Sequence, residues 1–164
     1  MIIRNYVKET DIEECRALMR ELTAYHREMY DRPVLGGVYP PNDRDLEIVD
    51  PSLVWVAVHD SKVIGLIGLI PHEDENEAEV DPIIVTREFR GKGVGGRLLD
   101  TAVAEARARG CRLAFIRHLA RNIKTIQFSY KHGFTKVGFV ELLMDLSERT
   151  RKPGPRIFEC DFAM

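Results

Sequence analysis

Arg90-Gly91-Lys92-Gly93-Val94-Gly95-Gly96 is the stretch whose reading decides the fold. Ahead of it, Val80 to Val85 is rich in β-branched residues and predicts a strand. Behind it, Leu98, Leu99, Ala102, Val103 and Ala106 recur at helical spacing until Gly110, which predicts a helix over Gly96 to Arg109. A glycine-rich turn that opens a helix presents unpaired backbone N–H groups, and the helix dipole adds partial positive charge there. Arg90, Lys92 and Arg97 bring side-chain cations to the same place. The stretch reads as a phosphate cradle.

Two nucleotide readings compete for it. Gly91 to Gly96 satisfies G-x-G-x-x-G, but a dinucleotide site expects an acidic residue about 20 positions further on to hold a ribose. The next strand, Leu113 to Ile116, ends instead in Arg117-His118. A nucleotide P-loop would continue into Lys-Ser/Thr, whereas Arg97-Leu98 follows here. Each reading lacks a residue that its mechanism needs.

The rest of the chain bounds the class. Its 164 residues predict one domain over 1–164, with a hydrophobic fraction of 45% and a charged fraction of 30%. The 24 basic and 26 acidic residues leave a net charge of −2, so no global field favours nucleic acid or an anionic membrane. The cations around Arg90 are therefore a local feature. Three cysteines, Cys15, Cys111 and Cys160, stand without C-x-x-C spacing, which argues against a disulfide framework or a metal site and for a reducing compartment. With no signal-like apolar core near Met1 and no run of membrane-spanning length, a cytoplasmic protein is expected.

Ile83-Ile84-Val85, then Arg90-x-x-Gly93-x-Gly95 and a Leu-Leu amphipathic helix, resembles the GNAT superfamily of acetyl-CoA-dependent N-acyltransferases. A second block, Asn122-x-x-Thr125-Ile126-x-Phe128 closing with Lys131-His132-Gly133-Phe134, resembles that family's N-x-x-A…G-F element. The two blocks stand in the family's order and separation. The resemblance implies a mixed α/β (α+β) single domain: a mostly antiparallel sheet of about six to seven strands, flanked by about four helices. It also implies acetyl-CoA as acyl-donor co-substrate, an amine acceptor, and a homodimer as one assembly option through the terminal strand.

Taken in order, Ile2 to Val7 suits a first strand, and Thr10-Asp11-Ile12-Glu13 matches a capping box. Ile12, Cys15, Met19, Leu22 and Met29 then mark an amphipathic helix to about Tyr30. Asp31 to Asp50 reads as a long irregular loop with Tyr25, His26, Tyr30 and Tyr39 around it. Leu53 to His59 and Val63 to Ile70 read as a hairpin. Pro71 to Glu77 carries Glu73, Asp74, Glu75 and Glu77, either a solvated loop or an acidic rim for a cationic amine. Pro82 marks an edge or a bulge in its strand. Val137 to Leu146 suits helix or strand equally, Glu148 to Arg156 reads as a polar loop, and Ile157 to Phe162 as a terminal strand.

The chemistry follows from the resemblance together with these residue types. The loop of Arg90, Gly91, Lys92, Gly93, Val94, Gly95, Gly96 and Arg97 would hold pyrophosphate. Backbone N–H groups at Ile83, Ile84 and Val85 would bond pantetheine and polarise the thioester carbonyl. In the family pattern Asn122 contacts the coenzyme, while its residue type equally suits a helix cap. Glu79 stands six residues before Val85, where the family carries a glutamate, and is the candidate general base for an ammonium of pKa about 10. Asp81 competes on the same strand parity until a bulge resets it, and His118 is a third candidate. Many relatives place a tyrosine seven residues after the asparagine to protonate the departing thiolate. Ser129 holds that position here, with Tyr130 beside it, turned by about 100° on a helix, so the acid stays open between them and no residue at all. The functions to separate are N-acetylation of a small-molecule or peptide amine by direct attack on the thioester, and a catalytically idle acyl-CoA-binding module; a dinucleotide enzyme ranks behind both.

Overall fold

Five strands form one sheet in the order β1-β2-β3-β4-β5: β1 (Ile2–Asn5), β2 (Val54–His59), β3 (Lys62–His72), β4 (Glu77–Val85) and β5 (Leu113–Phe115). Neighbours run antiparallel except β4 and β5, which are parallel. That one parallel pair needs a crossover, supplied by α2 (Val94–Ala108). The long helix α1 (Lys8–Tyr30) connects β1 towards β2. This computed structural model describes residues 1–30, 50–138, 153–157 and 160–163. The chain divides into two units, Met1–His118 and Leu119–Met164.

The mixed, mostly antiparallel α/β class is as expected, but the counts differ. Among the described residues the sheet has five strands and the helices number three, the third being α3 (Ile123–Lys131) in the second unit. That unit also holds an antiparallel pair, β6 (Pro153–Ile157) and β7 (Cys160–Ala163), separate from the main sheet. Pro153-Gly154-Pro155 therefore lies in a strand, not the polar loop its composition suggests. A two-stranded ribbon is all edge, where proline is tolerated. The expectations for 31–49 and 139–148 fall outside the described residues.

The core centres on β3, where every residue from Val63 to Leu69 is buried. Burial at both parities means both faces are covered, and α1 and α2 both pack on this strand. The β2–β3 turn is tighter than a loop: Asp60 and Ser61 both take positive φ (47° and 62°), and His59 pairs with Lys62. Two central residues at positive φ give the turn whose twist matches a hairpin.

Helix α1 starts at Lys8, not behind a Thr10 cap. Asp11 explains the difference. Its carboxylate takes Arg4 Nη1 at 2.6 Å and Nη2 at 2.8 Å, and the Val7 N–H at 2.9 Å. The first turn thus forms ahead of Thr10, whose hydroxyl donates to Val7 O and Asp11 Oδ1. Asp11 is only 2% exposed, and its bonds to Arg4 hold its pKa at about 2, below the ordinary 3.8. A carboxyl depressed on folding stabilises above its unfolded pKa and loses that contribution as pH falls through its folded one. Stability of about 2 kcal/mol should therefore drain between about pH 4 and pH 2. Urea unfolding across that range should show Asp11→Asn weaker than wild type at pH 7 and flatter below pH 4.

A stripe that the apolar periodicity does not reveal runs along α1. Glu14, Glu21 and Glu28 repeat every seven residues, which keeps them on one face. Glu14 accepts the Val63 N–H at 2.9 Å, and Glu28 lies 3.8 Å from Arg87. Glu21 accepts from the Thr86 hydroxyl, the Arg87 N–H and Arg90 Nη2, at 3.0, 2.9 and 2.8 Å. No helix among the described residues is long and apolar enough to cross a membrane.

Candidate active site

The site begins with a defect in pairing. Ile67 pairs with Ile83 and Leu69 with Val80, so Gly68 faces both Asp81 and Pro82. This is a β-bulge, and a bulge bends its strand and resets which residues share a face. The opposing residue has to be glycine: a Cβ at Gly68 would stand 2.5 Å from the Asp81 carbonyl oxygen and 3.2 Å from Pro82 Cδ. Gly68→Ala should cost about 2 kcal/mol, read as a lower urea midpoint, and should lower activity because the bulge shifts.

Beside the bulge, β4 loses its parallel neighbour. Pairing with β5 covers Glu77, Ala78 and Glu79, and stops there. The backbone beyond is directional. The Thr86 N–H donates to Ile64 O at 3.0 Å, so by antiparallel alternation Ile84 exchanges bonds with β3 while Ile83 and Val85 turn their N–H and C=O groups to the opposite edge. Arg90 Nε reaches the Val85 carbonyl from that side, at 2.8 Å. Of the three sequence-derived residues, Ile83 and Val85 thus present amides to an edge that is unpaired among the described residues. Ile84 is buried in the core.

The glycine turn follows directly. Gly91 and Gly93 take φ values of 74° and 79°, the left-handed region that glycine enters without cost. Among the described residues, no atom lies within 4 Å of where a Cβ would stand at either. Gly93 is the N-cap of α2, and no side chain caps the helix there. The leading N–H groups at Val94, Gly95 and Gly96 therefore form an uncapped, dipole-positive helix end suited to a phosphate anion. Lys92 and Arg97 are exposed beside it, with Lys92 Nζ 4.9 Å from the Phe89 ring centroid. Arg90 has a different posting: it bonds Glu21 and Val85 O, and lies 5.1 Å from the Tyr25 ring centroid. It ties the loop to α1. A shallow recess of about 300 Å³ lined by Glu21, Ala24, Tyr25, Glu28, Arg87 and Arg90 borders that tie.

Glu79 sits where β4 and β5 part, with its side chain 13% exposed. Arg117 pairs with its Oε1, and His72 Nε2 lies 3.6 Å from its Oε2. Strand geometry assembles this set. Ile70 pairs with Glu79 and His72 with Glu77, so His72 is the diagonal same-face neighbour of Glu79. Phe115 pairs with Glu79 across the parallel ladder, and Arg117 follows two residues later. The Phe115 ring lies under both, 5.4 Å from the His72 ring and 4.8 Å from Arg117 Cζ. Glu77 is engaged by Arg112 at 2.7 Å. Asp81 is exposed within the bulge itself. His118 lies just past Arg117, and burial lowers its pKa from the ordinary 6.5. The sequence reading did not single out His72 or Glu21. The seven-residue acidic repeat was the available signal for Glu21, whereas His72 needed the β3–β4 register.

In the second unit, Asn122 caps α3, its side chain accepting the Thr125 N–H at 3.4 Å. Ser129 is 3% exposed and Tyr130 63% exposed, so the two candidate acids point different ways on the helix. The helix ends before Gly133, whose φ is 95°.

A bulged strand whose parallel pairing ends at Glu79 thus runs into a glycine turn and an uncapped helix start. The model of the acetyltransferase (GNAT) family matches residues 15–134, and the chain belongs to that family. It is 30% identical over 128 residues to the acetyltransferase Atu2258 of Agrobacterium fabrum, covering 78% of this chain and 80% of that relative. It is similar in fold to a GNAT-family acetyltransferase of Staphylococcus aureus, with a TM-score of 0.69 at 17% identity over 90% and 92% of the two chains. N-acetylglutamate synthase of Neisseria gonorrhoeae, solved with coenzyme A and N-acetyl-glutamate, gives 0.62 at 22% identity over 79% of this chain. This chain spans 27% of the length of that synthase.

Proposed function

We propose that the protein is an N-acetyltransferase that moves the acetyl group of acetyl-CoA to a primary amine of a small molecule or peptide. The observation that carries this reading is the continuity of three features: the unpaired edge at Ile83 and Val85, the left-handed turn at Gly91 and Gly93, and the uncapped start of α2. Backbone donors along one path suit a pantetheine amide chain followed by a pyrophosphate. The synthase solved with coenzyme A shares this fold, which supports the same donor here. Lys92 and Arg97 would add charge to the phosphate site, and Arg90 would hold its shape. Glu79 would take the proton of the attacking ammonium, and the amine would then attack the thioester carbonyl directly. Loss of the thiolate needs no acid of its own where the solvent can protonate it, which fits Ser129 at the buried position. The family match runs from 15 to 134 across both units, which supports one catalytic domain.

The test is release of coenzyme A from acetyl-CoA by the wild-type protein, with and without a panel of amines. Amine-dependent release supports the transferase. The exposed Tyr130 and the serine at position 129 favour a second reading, an idle acyl-CoA-binding module. Saturable acetyl-CoA binding with no release for any amine would select it.

A further inference from the structure

We infer that His72 is the proton outlet of Glu79, a positioning residue that carries the proton from the buried carboxylate to solvent. The inference rests on the acetyltransferase reading and deepens it. A base that is 13% exposed has to hand its proton on before the next turnover, and among the described residues His72 is a neighbour fit to take it. His72 Nε2 is buried and, among the described residues, has no hydrogen-bond partner, although it stands 3.6 Å from Glu79 Oε2. The imidazole as a whole is 37% exposed, so its other edge reaches water. A neutral imidazole can accept a proton at one ring nitrogen and donate from the other, which suits a relay. Gaps of this length before substrate binds commonly tighten in the reacting complex.

The surroundings fix the direction of transfer. Arg117 occupies Glu79 Oε1, leaving Oε2 as the oxygen nearest His72. Phe115 packs against the imidazole at 5.4 Å and limits its tilt. Among the described residues, the charged groups near His72 are its cross-strand partner Glu77, already paired to Arg112, and Glu79 with its partner Arg117, while Glu73 follows it in the chain. The ammonium N–H bond breaks and its proton bonds Glu79 Oε2. That proton passes to the His72 Nε2 lone pair, the imidazolium loses its Nδ1 proton to water, and tautomer exchange through solvent returns the lone pair to Nε2 before the next turnover. The carboxylate is regenerated, and one proton per acetyl transferred reaches solvent.

The experiment is steady-state coenzyme A release by wild type, His72→Gln and His72→Ala, with melting temperatures alongside. His72→Gln keeps a polar contact to Glu79 but cannot carry a proton. The expected result is a kcat about tenfold lower in both variants, an unchanged KM for the amine, and partial recovery of His72→Ala by added imidazole. A purely structural role predicts that His72→Gln restores kcat and that imidazole does nothing, and either result overturns the inference. Wild-type protein that releases no coenzyme A with any amine overturns the acetyltransferase reading and this inference with it. Active wild type with unaffected variants overturns this inference alone.

Discussion

Gly93→Glu is expected to weaken acetyl-CoA binding more than 100-fold. The carboxylate would enter the open space above the turn, where a Cβ meets no atom within 4 Å, and face the incoming phosphates beside the start of α2. Like charges set against each other in a binding site cost several kcal/mol, and each 1.4 kcal/mol is a factor of ten. A side chain at φ 79° adds backbone strain of about 1–2 kcal/mol. Gly93→Asn separates the two effects, because asparagine tolerates the left-handed region without a charge. Calorimetric titration should find the asparagine variant binding within a few-fold of wild type and the glutamate variant not binding. Equal loss in both would move the cause from phosphate repulsion to loop geometry.

Glu79→Gln carries the second large expected effect, a fall in kcat of about 100-fold with acetyl-CoA binding retained. Glutamine preserves the shape between His72 and Arg117 but removes the proton acceptor. It also removes the charge that Arg117 engages, so a thermal melt should accompany the assay. Asp81→Asn is the matched control. Asp81 sits in the bulge opposite Gly68 and outside the His72–Arg117 set, so its substitution should leave kcat within about threefold of wild type. A larger loss for Asp81→Asn than for Glu79→Gln would exchange their roles.

Why some of this was legible in the sequence and some was not is a matter of range. The glycine turn and the Asn122 cap are local devices: each is set by backbone preferences over a few residues, so sequence alone places them. The start of α1 went wrong because Asp11, four residues on from Val7, draws the first turn forward through a bond to Arg4 on the preceding strand. Arg90 reads as a phosphate cation by position, yet its guanidinium is engaged by Glu21, 69 residues earlier. His72 stands next to Glu79 only through the register of β3 against β4, which no local pattern states. Pro82 announced a break in its strand, but the glycine that makes room for that break lies on the other strand, at Gly68. The substitution of serine for tyrosine at position 129 was plain, and the opposed exposures of Ser129 and Tyr130 follow from one step along a helix.

The unpaired edge of β4 also leaves a signature in time. A central strand in a covered sheet should exchange its amide hydrogens slowly, since opening it requires breaking the core. The alternation along β4 gives Ile84 that protection from β3 and withholds it from Ile83 and Val85, whose amides face the unpaired edge. Residue-resolved deuterium uptake should therefore show two fast positions flanking a slow one within a single strand. Saturating acetyl-CoA should close that gap, slowing Ile83 and Val85 while Ile84 stays as it was.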